Sequence, residues 1–127
     1  MSVKYKVIER GEPGVVGGGT KKFYASLMNS GNHNIEKLTQ RIQQMSTVTG
    51  VDIRAVLYAI AVIVPELLSE GHIVNIGDLG TFRLSVSSSG ADTQEEFTIG
   101  DIRRSRILFR PGSNFAKMLS NLEYEKG

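Results

Sequence analysis

The chain has 127 residues, 40% hydrophobic and 22% charged, with no cysteine and a formal net charge of +2. That composition describes a soluble globular chain of one domain, or one domain with an extension, and excludes a disulfide framework and a thiolate metal site. A net charge of +2 is mild for a nucleic-acid binder, so the placement of the cations matters more than their sum.

Residues Val3 to Glu9 alternate and carry β-branched and aromatic types, the pattern of a strand. Lys4, Lys6, Glu9 and Arg10 interrupt any early apolar segment, so no signal peptide is expected. The stretch Gly11-Glu12-Pro13-Gly14-Val15-Val16-Gly17-Gly18-Gly19 is dense in chain-breaking residues and reads as a flexible connection. A phosphate-cradling loop would require a Lys-Ser/Thr ending and a following helix, whereas Thr20-Lys21-Lys22 leads into a second strand pattern ending at Leu27. That second strand is expected to place Phe23, Ala25 and Leu27 on one face. Residues 1–30 are therefore expected to form a two-stranded β extension, and residues 31–127 the main domain. Lys4, Lys6, Lys21 and Lys22 either extend a basic surface or guard a sheet edge against aggregation, and edge protection is the preferred expectation.

Ile35, Leu38, Ile42, Met45 and Val48 step by three and four along one helical face, with Asn34 as the expected N-cap and Gly50 as the terminator. A second helix is expected after an Asp52 cap, running to about Glu70 and ended by Gly71. Pro65 inside it predicts a kink, because proline cannot donate to the carbonyl of Ala61. Its apolar positions, from Ile53 to Leu68, cover more than one stripe. A helix so broadly apolar needs partners on more than one side, which a chain this small hardly supplies; a homodimer with these helices at its centre follows. The longest apolar run, Val56 to Val64, is too short to cross a bilayer and stops at Pro65-Glu66. The expected location is the cytoplasm, at the nucleoid.

The rest of the chain reads as strands and a closing helix. Strand patterns span His72 to Ile76 and, after a Gly77-Asp78 turn, Leu79 to Ser88, with Phe82, Leu84 and Val86 on one face and Arg83, Ser85 and Ser87 on the other. The tip of this excursion is Ser87 to Asp92, the return is expected to begin over Glu95 to Ile99, and a strand from Arg103 to Arg110 completes it. The last helix follows Pro111-Gly112, with Phe115, Met118, Leu119 and Leu122 expected to pack inward. His33 and His72 lie far apart and read as surface or capping residues, so no metal site is expected.

The clearest charged constellation is Arg83 with Arg103, Arg104, Arg106 and Arg110. Period-two geometry puts Arg104, Arg106 and Arg110 on one side of a strand, and a guanidinium presents a planar fork of donors suited to phosphate. The start of the last helix, at Gly112-Ser113-Asn114, adds amide donors where a second phosphate would sit. The competing reading is a solvated face in which these arginines pair with Asp92, Glu95, Glu96 and Asp101.

With two upstream helices, the segments Ile76-Gly77-Asp78-Leu79-Gly80-Thr81-Phe82 and Phe109-Arg110-Pro111-Gly112 make residues Ile35 to Leu122 resemble the HU/IHF family of bacterial histone-like DNA-binding proteins. The resemblance implies an α+β fold: a helical dimer core carrying a β-sheet saddle and a protruding β-arm, here with the N-terminal extension of longer HU-like proteins. It also gives Arg110 the family's phosphate-contacting role and places Lys117 near a family basic position. There are departures. Asp78 stands where the family usually has glycine, and Ser113 and Ala116 replace residues that are often lysine. The family's arm ends in an Arg-Asn-Pro tip whose proline wedges between base pairs, but the prolines of this chain are Pro13, Pro65 and Pro111. The arm tip is serine-rich instead, and its return carries Glu95-Glu96.

Three functions differ in kind. The first is an architectural protein that binds duplex DNA with little sequence specificity and little bending, through Arg83, Arg103, Arg104, Arg106, Arg110, Gly112, Ser113 and Lys117. The second is an HU-like scaffold for protein–protein assembly. The third, an enzyme, lacks a paired nucleophile and base, a metal-ligand cluster and a phosphate loop, so no cofactor or small-molecule substrate is expected.

Overall fold

The structure, a computed structural model, describes residues 2–127 as an α+β chain of three helices and two small sheets. Strands β1 (Val3–Arg10) and β2 (Lys22–Leu27) pair antiparallel, with Tyr5 opposite Leu27 and Glu9 opposite Phe23. Helices α1 (Ile35–Met45) and α2 (Gly50–Ser69) follow, then β3 (Val74–Asn75), β4 (Gly80–Ser88), β5 (Ile102–Pro111), α3 (Ser113–Ser120) and β6 (Tyr124–Lys126). The first sheet has the order β2-β1-β6 and the second β3-β4-β5.

The first sheet thus has three strands where the sequence suggested two, because β6 returns to pair in parallel with β1, Val3 opposite Tyr124 and Tyr5 opposite Lys126. This makes β1 a central strand over Val3 to Tyr5, so Lys4 guards no edge, whereas the pairing with β6 does not extend to Lys6. The glycine-rich connection closes on itself through Glu12 N–H donating to Gly18 O at 2.6 Å, and it leads into a strand.

Asn34 caps α1 as expected, its Oδ1 accepting from Lys37 N at 3.0 Å. The helix stops at Met45, however, which leaves Val48 outside it. Gly50 does not end α1; it begins α2, whose cap is Thr49 rather than Asp52. The Thr49 hydroxyl accepts from Asp52 N at 3.3 Å, and Asp52 contributes its charge in the first turn, where the helix dipole favours an anion. Past Pro65, α2 continues as a single helix to Ser69. Gly71 N–H then donates to Leu68 O and His72 N–H to Leu67 O, the paired bonds that close a helix on a left-handed residue; Gly71 has φ +85°.

Among the described residues, the buried side chains are Ile53, Leu68 and Thr39. The inner face of the second sheet carries Phe82, Leu84, Ile107 and Phe109, and a ring cluster joins it to α3: Phe82 to Phe109 at 4.9 Å, and Phe109 edge-on to Phe115 at 5.9 Å. Met118 and Leu119, expected to pack inward, are instead exposed. In α3 it is Phe115 whose ring meets the cluster.

The root of the β4–β5 ribbon is held by close backbone crossings. Gly112 N–H donates to Leu79 O at 3.0 Å, and a Cβ at Gly112 would collide with the Asp78 carbonyl. Gly112→Ala should therefore destabilise the chain by about 3 kcal/mol, since only a backbone shift relieves the overlap. Gly90→Ala, with nothing within 4 Å, should change stability by less than about 0.5 kcal/mol. Thermal melts of the two variants check this; equal melting temperatures would refute the crossing as a constraint.

Candidate nucleic-acid interface

The arginines lie on the ribbon formed by β4 and β5. The register sets Thr81 opposite Arg110, Arg83 opposite Leu108, Ser85 opposite Arg106 and Ser87 opposite Arg104. Directly opposed residues of an antiparallel pair project to the same side, so Arg83, Arg104, Arg106 and Arg110 share one face with Leu108, Thr81, Ser85 and Ser87. Phe82, Leu84, Ile107 and Phe109 occupy the opposite face, against α2 and α3. The alternation of apolar and arginine residues in the sequence therefore becomes two faces of a ribbon, one greasy and one cationic.

Arg103 does not join this row. The register shifts between Ser87 and Ser88, so that Ser88 pairs with Ile102 and Arg103 is the extra residue of a bulge. Its Nε donates to Ser89 Oγ at 2.6 Å. At the other end, Arg83 and Arg110 line an open groove of about 550 Å³ together with Ile73, Thr81, Leu108, Phe109 and Pro111.

The expected carboxylate partners are engaged elsewhere or stand apart. Among the described residues the ion pairs are Lys22 with Glu12, Arg54 with Glu36, and His72 with Glu70; none takes an arginine of this face. Asp101 Oδ2 accepts from Thr98 N at 2.9 Å, within a reciprocal cap of a short 3-10 turn, Ile99–Asp101. That turn also corrects the expected return strand over Glu95 to Ile99. Thr93 Oγ1 accepts from Glu96 N and Thr98 caps the turn, so side-chain bonds to the backbone replace a ladder there, and β5 begins at Ile102.

At the start of α3 the Gly112 amide is already donated to Leu79 O, and the Ser113 hydroxyl donates to Asp78 Oδ1 at 3.1 Å. A carboxylate thus stands beside this helix terminus, in the place the sequence reading gave to a phosphate. Lys117 is exposed in the last turn of the same helix. Among the described residues no group of three or more His, Asp or Glu is arranged to hold a metal, and no helix is long and apolar enough to cross a membrane.

Comparison with known proteins adds two findings. A family model described as "HU-HIG: HU domain fused to wHTH, Ig, or Glycine-rich motif" matches residues 1–126. Among solved structures, the chain is similar to the crystal structure of a "Putative bacterial DNA binding protein" from Bacteroides vulgatus, with a TM-score of 0.68 and 12% identity. That similarity covers 98% of this chain and 47% of the other, so the chain spans about half the length of its structural neighbour. At such low identity the likeness speaks for the fold alone. No curated protein matches the chain.

Proposed function

From the premise that this chain belongs to the HU-HIG family, we propose that it is an HU-like dimer that binds duplex DNA through the arginine face of its β4–β5 ribbon. The observation that carries this reading is the row of Arg83, Arg104, Arg106 and Arg110 on one face, with no carboxylate paired to any of them among the described residues. Four guanidinium groups left without internal partners are a surface suited to a chain of phosphates. Residues 31–123 act as the binding domain, and residues 1–30 together with β6 as its extension.

The dimer is supported by what one chain leaves uncovered. With Ile53 and Leu68 its buried apolar side chains, a single chain exposes a stripe along α2 and leaves an apolar groove of about 400 Å³ between α2 and the ribbon. Val64, Pro65, Leu68, Phe82, Leu84 and Ile107 line that groove, a surface fit for the helices of a second copy.

Binding of this kind reads phosphate and shape, with little base specificity, because serine and threonine alternate with the arginines instead of a set of base-reading amides. No proline lies between Ser87 and Asp101, so the wedge that unstacks and kinks a duplex is missing and bending is slight. Titration of the full chain against a random duplex at several salt concentrations tests the proposal. Eight arginines per dimer set a limiting slope of log K against log salt of about −7, and a slope near zero defeats the reading. End-labelled duplexes in the same titration should show their ends no closer than in free DNA.

A second reading, assembly with another protein, is favoured by one observation. The N-terminal sheet bears an exposed apolar face of Tyr5, Val7, Phe23, Ala25, Leu27 and Tyr124. Strong, salt-dependent DNA binding would leave that face an accessory role.

A further inference from the structure

The first sheet separates its chemistry by face. In register, Tyr5, Val7 and Glu9 oppose Leu27, Ala25 and Phe23, while Lys6, Ile8 and Arg10 oppose Ser26, Tyr24 and Lys22. The second set shares its side of β1 with Lys4, which opposes Glu125 of β6. One face is therefore apolar, with Glu9 and Lys126 at its ends, and the other carries Lys4, Lys6, Arg10 and Lys22. Arg10 lies over the Tyr24 ring at 5.2 Å, a contact that holds its guanidinium against the sheet.

We infer that this basic face is a second contact for the phosphate backbone of duplex DNA, distinct from the arginine ribbon; the inference rests on the DNA-binding reading above. Three features separate it from an ordinary solvated face. Lys4 pairs with Glu125 on the stretch of β1 that β6 covers, so it does not protect an edge. Lys4, Lys6, Arg10 and Lys22 outnumber the one carboxylate that the paired strands bring to this face, Glu125, because Glu9 of β1 falls on the opposite face. Finally, Lys4 and Lys6 are two residues apart on a strand, about 6.6 Å, close enough to meet neighbouring phosphates of one DNA strand. Lys22 is restrained by Glu12 at 3.0 Å, and Glu125 faces Lys4, so Lys6 and Arg10 are the freest charges and Lys4 the next.

The test uses the full chain and a random duplex. K4Q/K6Q removes two charges per copy while keeping the aliphatic stems, and K37Q/K126Q removes the same charge from α1 and from the apolar face of the sheet. K4Q/K6Q should make the salt slope shallower by about two or more, with circular dichroism unchanged, and the K37Q/K126Q control should keep the wild-type slope. K4R/K6R should restore the slope. If K4Q/K6Q keeps the wild-type slope while the unmodified chain binds DNA, the second contact is overturned and the ribbon reading stands. If the unmodified chain does not bind duplex, both fail. If K4Q/K6Q instead loses binding to phosphatidylserine vesicles with its DNA slope intact, the face is a membrane-surface contact and the inference is wrong.

Discussion

Ile60→Asp should abolish the proposed dimer and, with it, most of the folded structure. Val56, Ile60 and Ile63 are 57%, 41% and 49% exposed in the single chain, and with half-buried Leu67 they recur at the spacing of a seam between paired helices. Covering the exposed half of three such side chains contributes about 1 kcal/mol each, or roughly 6 kcal/mol over two copies. Aspartate at position 60 removes part of that and places two carboxylates in an apolar seam, each costing several kcal/mol if it stays charged. The sum is comparable to the whole stability of an ordinary domain, about 5–15 kcal/mol. Sedimentation should accordingly find the variant at monomer mass, with its helical circular dichroism lost. Ile60→Leu, of the same volume, should keep both dimer and fold. The proposal is sunk by an unmodified chain that sediments as a monomer and still melts sharply, or by an Ile60→Asp variant that behaves like the parent.

What could be read ahead of the structure follows the range of the interactions involved. The arginine row was legible because a strand's alternation is a property of neighbouring residues, and the register then aligned Arg83 with Arg104, Arg106 and Arg110. Arg103 left the row because a bulge inserts one residue, and nothing local in Ile102-Arg103-Arg104 announces it. The start of α2 was misplaced by three residues because Thr49 and Asp52 are both good caps; the Thr49 hydroxyl takes the bond, and Gly50 is tolerated in the first turn. Phe97-Thr98-Ile99 has strand-forming residues, but the Thr98 and Asp101 side chains satisfy the backbone locally and hold a turn. Strand β6 was out of reach: three residues pair with a partner at the far end of the chain. That pairing also moved Lys4 from an edge to a centre, which changes what its charge is for.

Replacing Arg104, Arg106 and Arg110 with alanine should cost DNA affinity at least about a thousandfold at low salt, with the fold intact. The three positions are exposed and lie opposite Ser87, Ser85 and Thr81, so truncation removes no core contact. In a dimer it removes six cations, and at about 0.9 counterions released per phosphate contact the salt slope should flatten by about five. Two further variants separate charge from geometry. Arginine-to-lysine at the three positions keeps the charge, so it should hold most of the slope while weakening binding through loss of the bidentate fork. Arg103→Ala should have the smallest effect, because that guanidinium is spent on Ser89 at the bulge. Fluorescence anisotropy at two salt concentrations reads all three. A triple-alanine variant that binds with the parent's slope would mean that the phosphates are met elsewhere, and the ribbon would then be a packing surface whose arginines serve only solubility.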